Sequence, residues 1–260
     1  MGVLKTENRL GETNVNHQGC LMKIVEYNNA NNIIIEFQDD HLARVHTTYQ
    51  HFMIGDIKNP YYPTVFNVGM IGNKYPLKEN NKQMKEYNSW KHMLCRCYDE
   101  KRKNIFPTYK NAACCTEWLL YENFYEWLHL QDNFEKWLTE DRWHLDKDIL
   151  IKGNKLYSPD TCCLVPHNVN ILFTKDDAKR GAFPIGVCKF QKWFMAQCRN
   201  PFTNKYEYLG TYDTPEKAFR AYKKYKENII KQVAQIEYKA GNITSKCYEA
   251  MMNYVVEITD

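Results

Sequence analysis

Positive charge is concentrated in one 60-residue segment of this 260-residue chain, where it is interleaved with aromatic residues. Residues 180–239 contain twelve Lys or Arg against five Asp or Glu, whereas residues 1–85 hold nine against eight and residues 86–179 thirteen against fifteen. The aromatic residues among these charges include Phe190, Trp193, Phe194, Tyr206, Tyr208 and Tyr212. Such a segment predicts a surface that binds nucleic acid, because Lys and Arg neutralise phosphates. A solvated helix face would give the same charge excess.

Three strand-like runs precede one long helix in this segment. The runs are PIGVCKF, WFMAQCR and KYEYLGTYD, and the helix is predicted from about Pro215 to Ile236. Thr214 suits the N-cap, Pro215 suits the first helical position, and Glu216 suits the positive end of the helix dipole. The helical spacing directs four basic residues outward: Lys217, Arg220, Lys224 and Lys231.

The alternation of side chains in the second run predicts two different sheet faces. The residues directed toward the helix are Phe194, Ala196 and Cys198. The residues directed away from it are Met195, Gln197 and Arg199. We therefore expect an open, basic sheet face on the side opposite the helix.

This segment resembles the Apetala-two/ethylene-response-factor DNA-binding domain. That family combines a Gly-Val strand, an aromatic-x-Ala strand, a Tyr/Trp-Leu-Gly-Thr-Phe strand and an Ala-rich helix ending in Ala-Tyr. The matching residues are Gly186-Val187, Phe194, Ala196, Tyr208 to Tyr212, Ala218 and Ala221-Tyr222. The resemblance implies that the sheet lies in the major groove of double-stranded DNA and that outward side chains contact it.

The resemblance places Gln197, Arg199 and Tyr208 at DNA-contacting positions. The arginines that are usual around the Gly-Val strand are replaced here by Ile185, Cys188 and Phe190. The family's base specificity therefore does not carry over. Three further basic residues, Lys189, Lys192 and Lys205, are interpreted as phosphate contacts.

Residues 144–170 resemble the HNH nuclease motif of phage homing endonucleases, in which two strands and a helix hold a divalent metal. By this resemblance Asp146 is a metal ligand, Asn154 is the loop residue that orients the general base, and Asn168 or Asn170 is the ligand on the helix. The cofactor would be Mg²⁺ or another divalent metal, which polarises the scissile phosphate while a base takes a proton from water.

Lys147 stands where this motif has its general-base histidine. A lysine with a pKa near its reference value of about 10.4 is protonated at neutral pH, so a role as base would require a depression of roughly three units. His144 lies two residues before Asp146, on the same strand face, and would be the base if the register were shifted. The alternative is that His144 is a residue at the start of the strand with no catalytic role.

The remaining segments predict an α+β protein with several domains. Residues 1–75 alternate like strands and are predicted to form a small β-barrel, and residues 86–178 combine a helical segment with the HNH-like ββα unit. Residues 180–240 form the Apetala-two-like three-stranded antiparallel sheet plus helix, and residues 241–260 form a C-terminal helix or strand extension. Aromatic residues at helical spacing between Trp90 and Leu128 are interpreted as core.

The cysteines and the start of the chain indicate a cytoplasmic protein without a membrane segment. The ten cysteines include two adjacent pairs and no CxxC, so we expect reduced, buried thiols and no disulfides; zinc bound by distant cysteines is the alternative. No apolar run approaches the length of a membrane-spanning helix, and the first ten residues are too polar for a signal peptide.

Two functions of different classes follow from these patterns. The first is a phage or mobile-element endonuclease that binds double-stranded DNA with residues 180–239 and nicks it at a metal held by Asp146. The second is a nuclease-dead DNA-binding protein on the same scaffold, acting as a phage regulator or as an inhibitor of a host defence complex of the CRISPR type. In either case the N-terminal barrel could recruit a host or phage protein.

Overall fold

Four short strands form an antiparallel sheet near the N-terminus. The computed structural model describes residues 9–174 and 182–260. The strands are β1 (Thr13–Val15), β2 (Leu21–Asn29), β3 (Asn32–Phe37) and β4 (Arg44–Thr47), followed by helix α1 (Tyr49–Ile54). Alternate residues of β2 and β3, including Met22 and Ile35, are buried against Phe52 of α1. The predicted alternation is thus confirmed, and α1 covers the apolar face of the sheet.

The predicted N-terminal barrel is wrong, because within the described residues the sheet is open. Its strand order is β1-β2-β3-β4, which leaves β1 and β4 at opposite edges. These edge strands are three and four residues long, against nine in β2. A barrel closes only when its first and last strands pair along their length. Periodicity reports which residues are buried but not whether the edge strands meet.

Aromatic side chains form the core of the segment that follows. Its elements are β5 (Lys78–Glu79), β6 (Lys82–Gln83), α2 (Lys85–Tyr98), α3 (Glu100–Ile105), a 3₁₀ turn (Pro107–Tyr109), β7 (Ala113–Cys114), a second 3₁₀ turn (Glu117–Leu119) and α4 (Tyr121–His129). The indole Nε1 of Trp90 donates a hydrogen bond of 2.7 Å to the carbonyl oxygen of Trp118. Trp90, Trp118, Tyr121 and Phe124 are fully buried. The core assignment of these aromatics is confirmed, and Trp118 lies in the 3₁₀ turn that precedes α4.

The remaining elements alternate between helices and small sheets. They are α5 (Phe134–Thr139), β8 (Trp143–Asp146), β9 (Leu156–Tyr157), β10 (Cys163–Pro166), α6 (His167–Phe173), β11 (Val187–Phe190), β12 (Trp193–Arg199), β13 (Tyr206–Tyr212), α7 (Pro215–Lys239) and α8 (Ser245–Met252). Strands β8 and β10 pair, and β11, β12 and β13 form a separate three-stranded sheet. The protein is therefore a mixed α and β fold with several small sheets.

The chain divides into two compact units. One comprises Met1–Lys110 and Cys114–Glu126, and the other comprises Asn111–Ala113 and Trp127–Asp260. Within the second unit one apolar core includes Val165 of β10, Val169 of α6 and Ile230 of α7. The β8–β10–α6 segment and the β11–β13 sheet with its helix therefore share buried residues.

Two further observations concern the whole described chain. No disulfide joins any of the ten cysteines, all of which lie in the described residues, and five of them are buried: Cys97, Cys162, Cys163, Cys198 and Cys247. Among residues 9–174 and 182–260, no helix combines the length and the apolar character needed to cross a bilayer.

Candidate nucleic-acid interface

The register of the three-stranded sheet assigns each side chain to one of two faces. Val187 pairs with Ala196, and Ala196 pairs with Gly210, so these residues lie on the side packed against α7. Ala196 and Cys198 are buried, whereas Arg199 is exposed and Gln197 is half-buried. The predicted alternation along β12 is thus found in the structure.

A β-bulge interrupts the pairing of β12 with β13. The register shifts between Ala196 and Gln197, after which Gln197 pairs with Tyr208 and Arg199 with Tyr206. A bulge adds one residue to one strand and increases its local twist. Tyr206 and Tyr208 therefore share the outward face with Gln197 and Arg199, and Glu207 turns to the other side opposite Cys198.

The outward face is rich in aromatic rings and contains no acidic residue in its strands. Nine strand positions face outward: Cys188, Phe190, Trp193, Met195, Gln197, Arg199, Tyr206, Tyr208 and Thr211. Four of them are large aromatic side chains with exposed fractions of 51% for Phe190, 41% for Trp193, 69% for Tyr206 and 65% for Tyr208. Exposure of this extent is unusual for side chains that normally bury most of their surface.

The basic residues of this face lie in its strands and connecting turns. Lys192 lies in the β11–β12 turn, and its Nζ is 5.5 Å from the centroid of the Trp193 ring. Arg199 donates from Nη2 to Asn204 Oδ1 at 2.7 Å, which uses one of the five N–H donors of a guanidinium. Lys205 is exposed in the β12–β13 turn. Lys189 is also exposed, but it pairs with Phe194 and so belongs to the opposite face.

Most of the basic residues of the segment lie on α7 rather than on the sheet. Thr214 Oγ1 accepts a hydrogen bond from the Lys217 backbone N–H, so the predicted N-cap is confirmed. The four residues predicted to face outward on the helix are exposed: Lys217, Arg220, Lys224 and Lys231. The positive charge is therefore divided between two surfaces, and the sheet face has the smaller share.

The segment predicted to resemble an HNH motif contains a strand, a long loop, a second strand and a helix. β8 runs antiparallel to β10, with Asp146 opposite Cys163 and His144 opposite Val165, and α6 begins directly after β10. Asp146 and His144 therefore share one side of this two-stranded sheet with Cys163 and Val165, which belong to the apolar core that includes Ile230 of α7.

Asp146 is a half-buried carboxylate that holds the loop after β8. Its Oδ1 accepts hydrogen bonds from the backbone N–H groups of Asp148 at 2.8 Å and Ile149 at 2.9 Å. Burial raises the pKa of Asp146 to about 6, and the neighbouring Asp148 carboxylate adds to this effect. Such bonds terminate a strand and start a turn, which is a structural use of aspartate.

Lys147 and Asn154 also make contacts within this loop. The Lys147 side chain is buried, with its Nζ 3.1 Å from Asp148 Oδ2 and 5.8 Å from the centroid of the Tyr157 ring. Asn154 Nδ2 donates to the Lys147 carbonyl oxygen at 2.6 Å and to the Leu156 carbonyl oxygen at 2.7 Å. Asn154 thus fixes the main chain at Lys147, and the ammonium group is paired with a carboxylate.

The structure places His144 beside a histidine that the sequence analysis did not single out. His144 Nε2 lies 3.1 Å from Nδ1 of His167, the first residue of α6. The signal available in the sequence was the position of His167 directly after the second predicted strand, but pairing of β8 with β10 is needed to bring the two rings together. The two imidazole rings are therefore within hydrogen-bonding distance of each other.

The two asparagines predicted as helix ligands have other roles in α6. Asn168 Nδ2 donates to Glu237 Oε1 of α7 at 2.6 Å, and Glu237 Oε2 accepts from Asn242 Nδ2 at 2.7 Å. The Asn170 carbonyl oxygen accepts from Thr174 Oγ1 at 3.2 Å. Glu237 is buried and was also missed, because its partner lies 69 residues away along the chain.

Two of the predicted metal ligands already have partners within the fold. Mg²⁺ is usually held by one or two carboxylates together with water and substrate phosphates, and this set offers one carboxylate and two amides. One oxygen of Asp146 already accepts two backbone hydrogen bonds, and the amide of Asn168 is held by Glu237. Within the described residues no three His, Cys, Asp or Glu side chains are grouped so that they could hold a metal ion. We therefore derive no catalytic step through a metal at these residues.

Comparisons with known proteins identify no family for this chain. No protein-family model matches this chain, and no significant similarity to a curated protein or to a solved structure was found.

Proposed function

We propose that the outward face of the β11–β13 sheet binds double-stranded DNA and that the protein acts by binding rather than by cutting. The observation that carries this proposal is the composition of the face. Gln197, Arg199 and Tyr208 lie beside one another with Lys192 and Lys205 in the adjoining turns, and no outward strand position is acidic.

The dimensions of the sheet suit a groove of duplex DNA. Neighbouring strands are about 4.8 Å apart, so three strands span about 10 Å between the outer backbones. The major groove of B-DNA is about 12 Å wide and accepts β-strands. A guanidinium such as that of Arg199 can donate two hydrogen bonds to guanine, and an amide such as that of Gln197 can pair with adenine.

The binding-only form of the proposal rests on the contacts of the ββα unit. The residue in the position of the general base, Lys147, is buried and paired with Asp148, and two of the predicted metal ligands, Asp146 and Asn168, are engaged in structural hydrogen bonds. These contacts favour the nuclease-dead interpretation of the scaffold over the nickase.

A charge placed on the sheet face tests the proposal. Gln197→Glu introduces a carboxylate among the proposed contacts, whereas Gln232→Glu places the same charge at an exposed position of α7. Binding to a fluorescently labelled duplex is measured by anisotropy for the wild type and both variants. We expect Gln197→Glu to weaken binding by about tenfold or more, since 1.4 kcal/mol corresponds to tenfold and a repelled phosphate contact costs at least this much. Equal weakening by Gln232→Glu would contradict the assignment to this face.

A further inference from the structure

The outward sheet face has more exposed aromatic surface than contact with a duplex requires. Phe190 and Trp193 are directly paired across the β11–β12 hairpin. Tyr206 and Tyr208 alternate along β13, so their Cα atoms are about 7 Å apart on one face. Against these four rings the face offers Arg199 in its strands and Lys192 and Lys205 in its turns.

The flat sides of aromatic rings have little to bind in an intact double helix. In a duplex the bases stack on one another, and the grooves expose only base edges, sugars and phosphates. Unpaired bases expose their flat faces, and proteins bind them by stacking aromatic side chains on them beside a positively charged path for the backbone. The four rings with the neighbouring cations have this composition.

The contacts of individual rings agree with a platform of this kind. The Tyr208 hydroxyl is hydrogen bonded with Thr211 Oγ1 at 2.6 Å, which ties the polar end of the ring to its own strand. The ammonium of Lys192 lies near the Trp193 ring, where it is close to any phosphate that follows a stacked base. Tyr206, the most exposed ring of the face, is the cross-strand partner of Arg199, whose guanidinium donates to Asn204 in the adjoining turn.

We propose that this face binds unpaired bases and that the protein prefers DNA in which a duplex is locally opened, such as a bulge. Tyr206 and Tyr208 stack on successive unpaired bases, and Phe190 with Trp193 extends the platform at the hairpin end. This inference rests on the proposed function, because it uses the same surface and assigns it a more specific substrate.

The experiment compares three labelled DNAs: a perfect duplex, the same duplex with four additional unpaired nucleotides in one strand, and the single strand. We expect the bulged duplex to bind at least about fivefold more tightly than the perfect duplex, the lower end of what stacking of one base contributes. Tyr206→Leu and Tyr208→Leu retain apolar bulk and remove the ring. They are expected to abolish the preference for the bulge, while Tyr206→Phe preserves it. Tyr62→Leu, an exposed tyrosine in the other unit, is the matched control.

The outcomes separate this inference from the proposed function. Equal affinity for the perfect and bulged duplexes overturns the inference and leaves duplex binding intact. Leucine variants that weaken both complexes by the same factor also overturn it, because the rings would then serve only groove contacts. Absence of binding to all three DNAs overturns the proposed function and the inference with it.

Discussion

Gln197 and Tyr208 are directly opposed across β12 and β13, immediately after the bulge that shifts the register of these strands. Without that shift, the pairing of Ala196 with Gly210 would continue so that Leu209 lies opposite Gln197 and Glu207 opposite Arg199. The bulge thereby removes a carboxylate from the outward face and brings a tyrosine there. One extra residue in a strand pair thus determines the charge of the proposed DNA-binding surface.

The first prediction concerns salt. The sheet face and its turns carry Lys192, Arg199 and Lys205. Each neutralised phosphate contributes about −0.9 to the slope of log affinity against log salt, so three contacts give about −3. Titrations of a duplex at several salt concentrations measure this slope. A slope near zero would rule out phosphate contacts, and a slope steeper than about −7 would require the basic surface of α7 as well.

The second prediction concerns the backbone at the start of β11. Gly186 has a φ of 75°, and a Cβ at this position would overlap the ring of Tyr222. Gly186→Ala should therefore lower the free energy of unfolding by about 3 kcal/mol, because left-handed backbone strain and overpacking add together. Gly153 has a φ of 78° and open space around its Cα, so Gly153→Ala should cost only about 1–2 kcal/mol. Denaturant unfolding measures both changes in unfolding free energy. Equal losses of stability in the two variants would mean that overlap with Tyr222 does not contribute to the effect of Gly186→Ala.

The third prediction concerns the buried carboxylate of Glu237. Its two oxygens accept hydrogen bonds from the side-chain amides of Asn168 and Asn242. Glu237→Leu leaves both amides without this acceptor and should destabilise the protein by about 1–3 kcal/mol. Glu237→Gln keeps one acceptor oxygen and should cost less. A leucine variant as stable as the wild type would show that these two hydrogen bonds make no net contribution to the free energy of unfolding.

The fourth prediction concerns pH and Asp146. Its pKa is raised to about 6 by burial and by Asp148, from an ordinary value of 3.8. The native state therefore binds more protons than the unfolded state between these values, and stability falls as pH rises from about 4 to 6. Asp146→Asn can still accept the two backbone hydrogen bonds but carries no charge.

Unfolding curves at several pH values test this linkage. The asparagine variant should match the wild type below about pH 4 and exceed it above about pH 6. Asp160→Asn, an exposed position between β9 and β10, is the control and should not show this pattern. An Asp146→Asn variant that is less stable than the wild type at pH 7 would show that the charged carboxylate is stabilising.

The fifth prediction concerns strand cleavage. A supercoiled plasmid incubated with the protein and Mg²⁺ or Mn²⁺ should remain intact at protein concentrations that bind DNA, because Asp146 and Asn168, two of the predicted metal ligands, are engaged in structural hydrogen bonds. Lys147→His should not create nicking for the same reason. Nicking by the wild type that disappears in Asp146→Ala would refute the binding-only account.

Local sequence patterns determined much of this fold. The alternation from Phe194 to Arg199 and the cap at Thr214 depend on neighbours in the chain, and both are found as predicted. Features that depend on distant residues were not predictable in this way. The pairing of His144 with His167 and the contact of Asn168 with Glu237 require strands or helices to meet across 23 and 69 residues.

The open N-terminal sheet is a second feature that local sequence patterns did not predict. Alternation in β2 and β3 correctly identified buried residues such as Ile24 and Ile33. Whether β1 and β4 pair is decided by their length and by the position of α1, which periodicity does not report. The bulge at Ala196 is another case, because its presence depends on how two strands align.

The most direct test of duplex binding by the sheet face uses two arginines of the same unit. Arg199 lies on the outward face of β12, and Arg220 is exposed on α7, so Arg199→Ala and Arg220→Ala remove the same charge from different surfaces. Affinity for a labelled duplex is measured at one fixed salt concentration for the wild type and both variants. We expect Arg199→Ala to cost about 1–3 kcal/mol on a preferred sequence and Arg220→Ala to leave binding within about twofold of the wild type. Equal losses for the two variants, or a larger loss for Arg220→Ala, would contradict the account.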